Sequence, residues 1–158
     1  MERGTTLFLK ATVFLIGIMI LALCIFGLPS IAKEAAQSFP VNWVYPVISI
    51  MYASTIPFFV ALYQALKLLS YIDKNIAFSE LSVKALKTIK YCAITISILH
   101  AVCLPFLYLI AEKDDAPGLI ILGMVIPAAS LVIAVFAAVL QRLLKSAIDI
   151  KSENDLTV

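Results

Sequence analysis

The residues best suited to acid–base or metal chemistry are one histidine and three cysteines, all within apolar stretches. His100 is the sole histidine, and Cys103, three residues later, shares its helix face. Zinc is held by three or four protein ligands, and these two residues do not complete such a set. Cys24 lies in the first apolar stretch, and Cys92 lies eight residues before His100, about two helical turns away. We therefore expect a structural His100, hydrogen-bonded between helices, with no metal site and no cofactor.

Nucleophilic catalysis also lacks its parts in this sequence. The apolar stretches contain no carboxylate. None is therefore available to act with His100 in a nucleophile–base–acid set or a proton relay. The five glycines do not form a phosphate-binding loop. The net charge of +2 gives no reason to expect direct nucleic-acid binding. The sequence thus predicts a protein that is not an enzyme.

The apolar stretches that hold these residues dominate the composition. Hydrophobic residues make up 63% of the chain and charged residues only 14%, whereas soluble domains are about half apolar and a quarter charged. A membrane-spanning helix needs about 20 apolar residues. Four segments qualify: residues 11–28, 44–66, 91–111 and 118–140. We predict an all-α polytopic membrane protein, a single domain over residues 1–158, with a four-helix transmembrane bundle, cytoplasmic helix extensions and a cytoplasmic tail from 141 to 158.

The first apolar segment also has features of a secretory signal peptide. Arg3 and Lys10 precede it, and the small residues Ala32, Ala35 and Ala36 follow it. The apolar core of a signal peptide is about 7–15 residues long, and this segment is longer. We therefore expect it to be retained as a spanning helix.

The distribution of Lys and Arg predicts the orientation. Ten of the twelve basic residues lie before the first segment, between the second and third, or after the fourth. Only Lys33 and Lys113 fall on the other side. Because short cytoplasmic loops carry the excess of positive charge, we expect both termini in the cytoplasm.

Small residues at four-residue spacing predict the packing faces. Membrane helices associate where small side chains let backbones approach closely, and residues four apart share a face. The third segment carries Ala93, Ser97, Ala101 and Pro105, and the fourth carries Ser130, Ala134 and Ala138. We expect these faces to form the interior of a compact bundle, and the sequence leaves homo-oligomerisation open.

The segment after the second span contains signals for a helix end and a new helix start. Asn75 is suited to a helix stop, and Ser79 to an N-cap. Phe78 and Val83 occupy the two positions of a hydrophobic staple. The pattern predicts a helix that begins at Ser79 outside the membrane and continues into the third span.

Two amphipathic stretches extend beyond the spans on the predicted cytoplasmic side. The first carries Lys84, Lys87 and Lys90, and the second covers residues 141–150 with apolar residues at helical spacing. Basic residues here suit anionic lipid headgroups. Apolar groups within a charged rim suit a protein partner. Both interpretations stay open, and they are compatible.

Several of these motifs resemble a known family. The Asn75–Ser79 loop, the Val83–Lys87 helix and the Glu153–Val158 ending resemble the bacterial domain-of-unknown-function 2975 family, over nearly the whole chain. Its members have a Pro-Phe-Ser-like turn, where this chain has Ala77. The resemblance implies a four-helix protein of the bacterial inner membrane, often encoded beside a small Cro/C1-type helix-turn-helix regulator, with no established catalytic residues.

We therefore hypothesise that the cytoplasmic face binds or sequesters such a regulator in response to membrane state or a ligand. Alternatives are a resistance or immunity protein that intercepts a membrane-active peptide through its outer loops, and a small transporter. The candidate partner-binding residues are Asp73, Asn75, Phe78, Ser79, Lys84, Lys87, Asp155, Leu156, Thr157 and Val158.

Overall fold

Residues 2–157, which the computed structural model describes, consist of helices joined by short loops. No β-strand occurs among them. Four helical rods are long and apolar enough to cross a membrane, and each contains one of the predicted segments. The predicted fold class, an all-α membrane protein with four spanning helices, is confirmed. Val158, one of the predicted partner-binding residues, lies outside the described part of the chain.

The first rod is interrupted by a wider turn. It consists of α1 (Glu2–Ala22), a π-helical segment (Leu23–Gly27) and α2 (Leu28–Ser38). The hydroxyl of Tyr52, on the next helix, donates a 2.8 Å hydrogen bond to the backbone carbonyl of Cys24 within the π-helical segment. Such segments occur mostly as single wide turns inside α-helices. Here the wide turn is tied to its neighbour by a side chain.

The remaining rods extend well past their apolar segments. They are α3 (Val41–Asp73), α4 (Glu80–Lys113) and α5 (Gly118–Thr157). At 1.5 Å per residue they are about 50, 51 and 60 Å long, against about 30 Å for the hydrocarbon core of a bilayer. The predicted tail after residue 140 is therefore a helical continuation of α5 through Thr157.

The α3–α4 loop confirms one predicted capping signal and corrects another. Asn75 adopts φ 59°, and the N–H of Ile76 donates to the carbonyl of Tyr71 at 2.9 Å, the pattern of a left-handed helix stop. Ser79 stands at the N-cap of α4, as predicted, but its hydroxyl does not cap the helix. It donates instead to the carbonyl of Ile76 at 2.6 Å, because the tight loop brings that acceptor within reach.

The α4–α5 connection is equally short. Asp115 adopts φ 51°, and the N–H of Ala116 donates to the carbonyl of Ala111 at 2.9 Å. Because only residues 114–117 separate the two helices, α4 and α5 are antiparallel neighbours.

The main helix contacts join rods that are adjacent in the chain: α1 with α3, α3 with α4, and α4 with α5, with the α1–α3 contact the least extensive. On α5 the predicted small residues Ser130 and Ala134 are buried. On α4 Ala93 is buried, as predicted, but the prediction is wrong for Ala101, which is exposed. Four residues exceed one helical turn of 3.6, so a four-residue stripe drifts off the buried face. Cys103 occupies that face instead.

Candidate functional site

The predicted basic segments meet at one end of the molecule. The ammonium of Lys10 on α1 lies 2.8 Å from a carboxylate oxygen of Asp73 at the end of α3, and the loop to α4 follows directly. The extension of α5 packs against the same region. This end, formed by residues 3–10, 67–90 and 140–151, is called the basic end, since it holds ten of the twelve Lys and Arg residues.

An open apolar hollow of about 480 Å³ lies at the basic end, where α3, the α3–α4 loop, α4 and α5 converge. We call it the basic-end groove. Its walls include Leu68, Ile72, Phe78, Leu86, Leu143 and Leu144. Leu68 lies two residues past the predicted second span, whereas Leu143 and Leu144 belong to the amphipathic extension of α5. The groove therefore begins near the membrane boundary and opens away from it.

Phe78 is the aromatic side chain in the wall of this groove. It is 61% exposed, whereas Val83, its predicted staple partner, is 7% exposed. Val83 is buried in the core and Phe78 remains at the surface of the groove. The hydrophobic staple between them stays a prediction. Large aromatic side chains in apolar clefts are common anchors of protein interfaces. Phe78 was predicted from sequence as a contact residue, and the structure places it in the groove wall.

Ser82 adds an unsatisfied polar group to the groove. It is 2% exposed, and its hydroxyl oxygen has no hydrogen-bond partner among the described residues. Leaving a buried hydroxyl unpaired costs about 1–3 kcal/mol. Ser82 was not predicted from the sequence, because a serine in the first turn of a helix is ordinary.

The other predicted partner-binding residues among residues 73–87 lie near the groove but do not line it. Lys84 and Lys87 are exposed on α4, and Asn75 and Ser79 form the loop beside Phe78. The carboxylate of Asp73 is already engaged by Lys10.

The end of the chain lies farther from the groove. Asp155 follows Ala147, the last groove residue, by eight positions, which is about 12 Å along α5. Leu156 is 83% exposed. The side chain of Thr157, like Val158, is outside the part that the structure describes. The structure thus separates the tail from the groove, although both were predicted to contact one partner.

The intramembrane His100 is buried, and Nδ1 of its ring lies 3.0 Å from the carbonyl oxygen of Ile96. A carbonyl only accepts, so Nδ1 carries the hydrogen. The bond is within α4, which corrects the expected bond to another helix for this nitrogen. Cys103 is 1% exposed, and its thiol, like those of Cys24 and Cys92, is free. Residues 2–157 contain no group of three or more potential metal ligands.

The end opposite the basic end is held together by Lys113. Its ammonium lies 3.4 Å from the carbonyl oxygen of Ser38 and above the rings of Phe39 and Trp43, at 5.7 and 5.8 Å from their centroids. The corner between α2 and α3 is thereby fastened to the end of α4. The two helix connections at this end therefore lie beside each other.

Comparison with known proteins identifies the family of this chain. The model of a family described as "Protein of unknown function (DUF2975)" matches residues 30–158. The chain belongs to this family. It is 64% identical over 160 residues to the "Uncharacterized membrane protein YoaS" of Bacillus subtilis (strain 168), and the match covers the whole of both chains. No solved structure matches significantly. The four spanning helices and this relative together make the chain a membrane protein.

Proposed function

We propose that this protein is a non-enzymatic protein of the bacterial inner membrane that captures a small helix-turn-helix transcriptional regulator at its basic end. The basic end faces the cytoplasm in this proposal, and the basic-end groove receives an apolar helix face of the regulator. The observation that carries the proposal is the open groove with Phe78 61% exposed in its wall.

The apolar lining of the groove suits a helix as occupant. Amphipathic helices bind in apolar grooves through side chains at positions i, i+3, i+4 and i+7. Leu143 and Leu144 supply apolar wall from α5, and Leu68 and Ile72 supply it from α3.

The charges around the groove restrict which face of a regulator can bind. Lys74, Lys84, Lys87 and Lys145 are exposed at the basic end. The DNA-reading surface of a regulator is itself basic, because it must neutralise phosphates. Like charges repel, so the regulator binds through a different face, with its acidic residues toward the lysines. A captured regulator is held at the membrane, away from the chromosome.

The position of the groove offers a route by which membrane state acts on capture. The groove begins beside the second and fourth apolar segments, at Leu68 and Leu140, and continues beyond them. Spanning helices adjust their tilt to the thickness of the bilayer. In this proposal a change in thickness alters the separation of α3 and α5, which both contribute to the groove walls.

The proposal is tested by co-purification. Full-length tagged protein is extracted in detergent from cells that also express a helix-turn-helix regulator encoded beside it. We expect the regulator to be recovered with the wild type and to be depleted with Phe78→Ala. Phe8→Ala is the matched control, since Phe8 is 71% exposed near the same end but outside the groove. Failure of the wild type to retain the regulator contradicts the proposal.

A further inference from the structure

A second hollow lies on the lipid-facing side of the molecule, between α1 and α3. Its volume is about 260 Å³, and it is almost entirely apolar. We call it the α1–α3 groove. Val13, Phe14 and Gly17 form its α1 wall, and Phe59, Leu62 and Tyr63 form its α3 wall. These residues lie in the first and second spanning segments, so the groove opens toward the acyl chains of the bilayer.

The α1–α3 groove is deep because Gly17 has no side chain to fill it. A Cβ placed at this position would lie 3.6 Å from a methyl carbon of Leu62 and 3.8 Å from a ring carbon of Phe59. These are ordinary contact distances, so a side chain would be tolerated here and would occupy the hollow. The absence of a side chain leaves room for an apolar chain that lies along the two helices. In the bilayer interior, that occupant is hydrocarbon.

A positively charged side chain lies where the α1–α3 groove reaches the basic end of the molecule. The ammonium of Lys67 lies 4.9 Å from the centroid of the Tyr63 ring, and Tyr63 is part of the groove wall. Lys67 forms no ion pair with a described carboxylate. Lys10 is one turn from Val13 at the same end, but its charge is paired with Asp73. Lys67 is therefore the cation available to a headgroup above the groove.

We propose that the α1–α3 groove is a binding site for one anionic phospholipid, whose acyl chain lies against Gly17 and whose phosphate pairs with Lys67. Basic residues beside clefts between spanning helices select anionic headgroups, and a chain in the cleft adds apolar contact. The bound lipid fills the joint between α1 and α3, where the packing between helices is least extensive. This site is separate from the basic-end groove and does not depend on any protein partner.

Native mass spectrometry of the full-length protein in detergent tests the site. The probes are dioleoyl phosphatidylglycerol and dioleoyl phosphatidylcholine, which have the same chains and differ in headgroup charge. We expect one phosphatidylglycerol to bind at least fivefold more tightly than phosphatidylcholine. Lys67→Gln removes this preference. Lys90→Gln is the matched control, because Lys90 also stands over a tyrosine ring, that of Tyr91 at 4.8 Å, but not beside this groove.

A second pair of variants tests the acyl-chain part of the site. Gly17→Leu places a side chain in the groove and is expected to weaken binding of both lipids. Gly4→Leu, at a position with open space around it and outside the groove, leaves binding unchanged. Equal affinity of the wild type for both lipids overturns the proposal, as does an equal loss in Lys67→Gln and Lys90→Gln, which would indicate a diffuse basic collar. Unchanged tight binding to Gly17→Leu overturns the placement of the chain.

Discussion

The ammonium of Lys10 lies 2.8 Å from a carboxylate oxygen of Asp73, which joins the first half of α1 to the last residue of α3. Both side chains are 26% exposed, so the pair is partly shielded from solvent. The first rod, which contains α1, has the least extensive packing of the four rods. This ion pair therefore contributes a larger share of the free energy that holds the rod to the bundle.

Breaking this ion pair is expected to loosen α1 selectively. Ion pairs at protein surfaces contribute up to about 1 kcal/mol, so Lys10→Met or Asp73→Asn should raise the opening of α1 several-fold without unfolding the bundle. Hydrogen–deuterium exchange of the detergent-solubilised protein measures this: amides of residues 3–15 should exchange faster, and those of α4 should not change.

The charge-swapped double variant is the control for that experiment. If the pair itself is responsible, Lys10→Asp combined with Asp73→Lys should restore slow exchange in α1. Faster exchange throughout the molecule in either single variant would show that the residues act on overall stability rather than on α1.

The second prediction concerns orientation, which rests on the ten-to-two division of basic residues. In a variant without its three native cysteines, single cysteines are introduced at Ala36, Asp114, Asn75 and Ser152, all of which are exposed. An impermeant maleimide added to intact cells should label positions 36 and 114 and leave 75 and 152 unlabelled until the cells are opened. Labelling of position 75 in intact cells would reverse the orientation.

The sequence predicts the structure correctly where one residue determines the local backbone geometry. Asn75 was predicted as a helix stop because few residues other than glycine adopt positive φ, and it has φ 59°. The hydroxyl of Ser79 was not predicted correctly, since two acceptors compete for it and the choice depends on the path of the loop. Ala101 was misplaced because a four-residue spacing drifts around the helix.

The third prediction concerns His100. Its Nδ1–H is bonded to the Ile96 carbonyl in the same helix, so we expect a structural role. His100→Gln keeps a side-chain N–H donor of similar length and should leave the melting temperature within a few degrees. Metal analysis of the purified wild type should find no stoichiometric ion. A metal or haem present in the wild type and lost from the variant would assign His100 a ligand role instead.

The basic-end groove lay largely beyond sequence analysis. The apolar spacing of Leu140, Leu143 and Leu144 showed that α5 continues as an amphipathic helix, but not what that face meets. The groove exists because α3, α4 and α5 converge there, a tertiary relationship that no local pattern encodes. Ser82 gave no signal, since a serine in the first turn of a helix is ordinary. Its burial without a partner appears only when all three helices are in place.

The measurement that tests the central claim most directly is the affinity of the proposed helix-turn-helix regulator for the full-length protein in lipid nanodiscs. Removing an aromatic anchor from an interface typically costs about 2 kcal/mol or more, which corresponds to about a 30-fold rise in Kd. We expect a rise of that order for Phe78→Ala and less than a twofold change for Phe8→Ala. Equal affinities for the wild type and Phe78→Ala, or no binding to the wild type, would contradict capture at the basic-end groove.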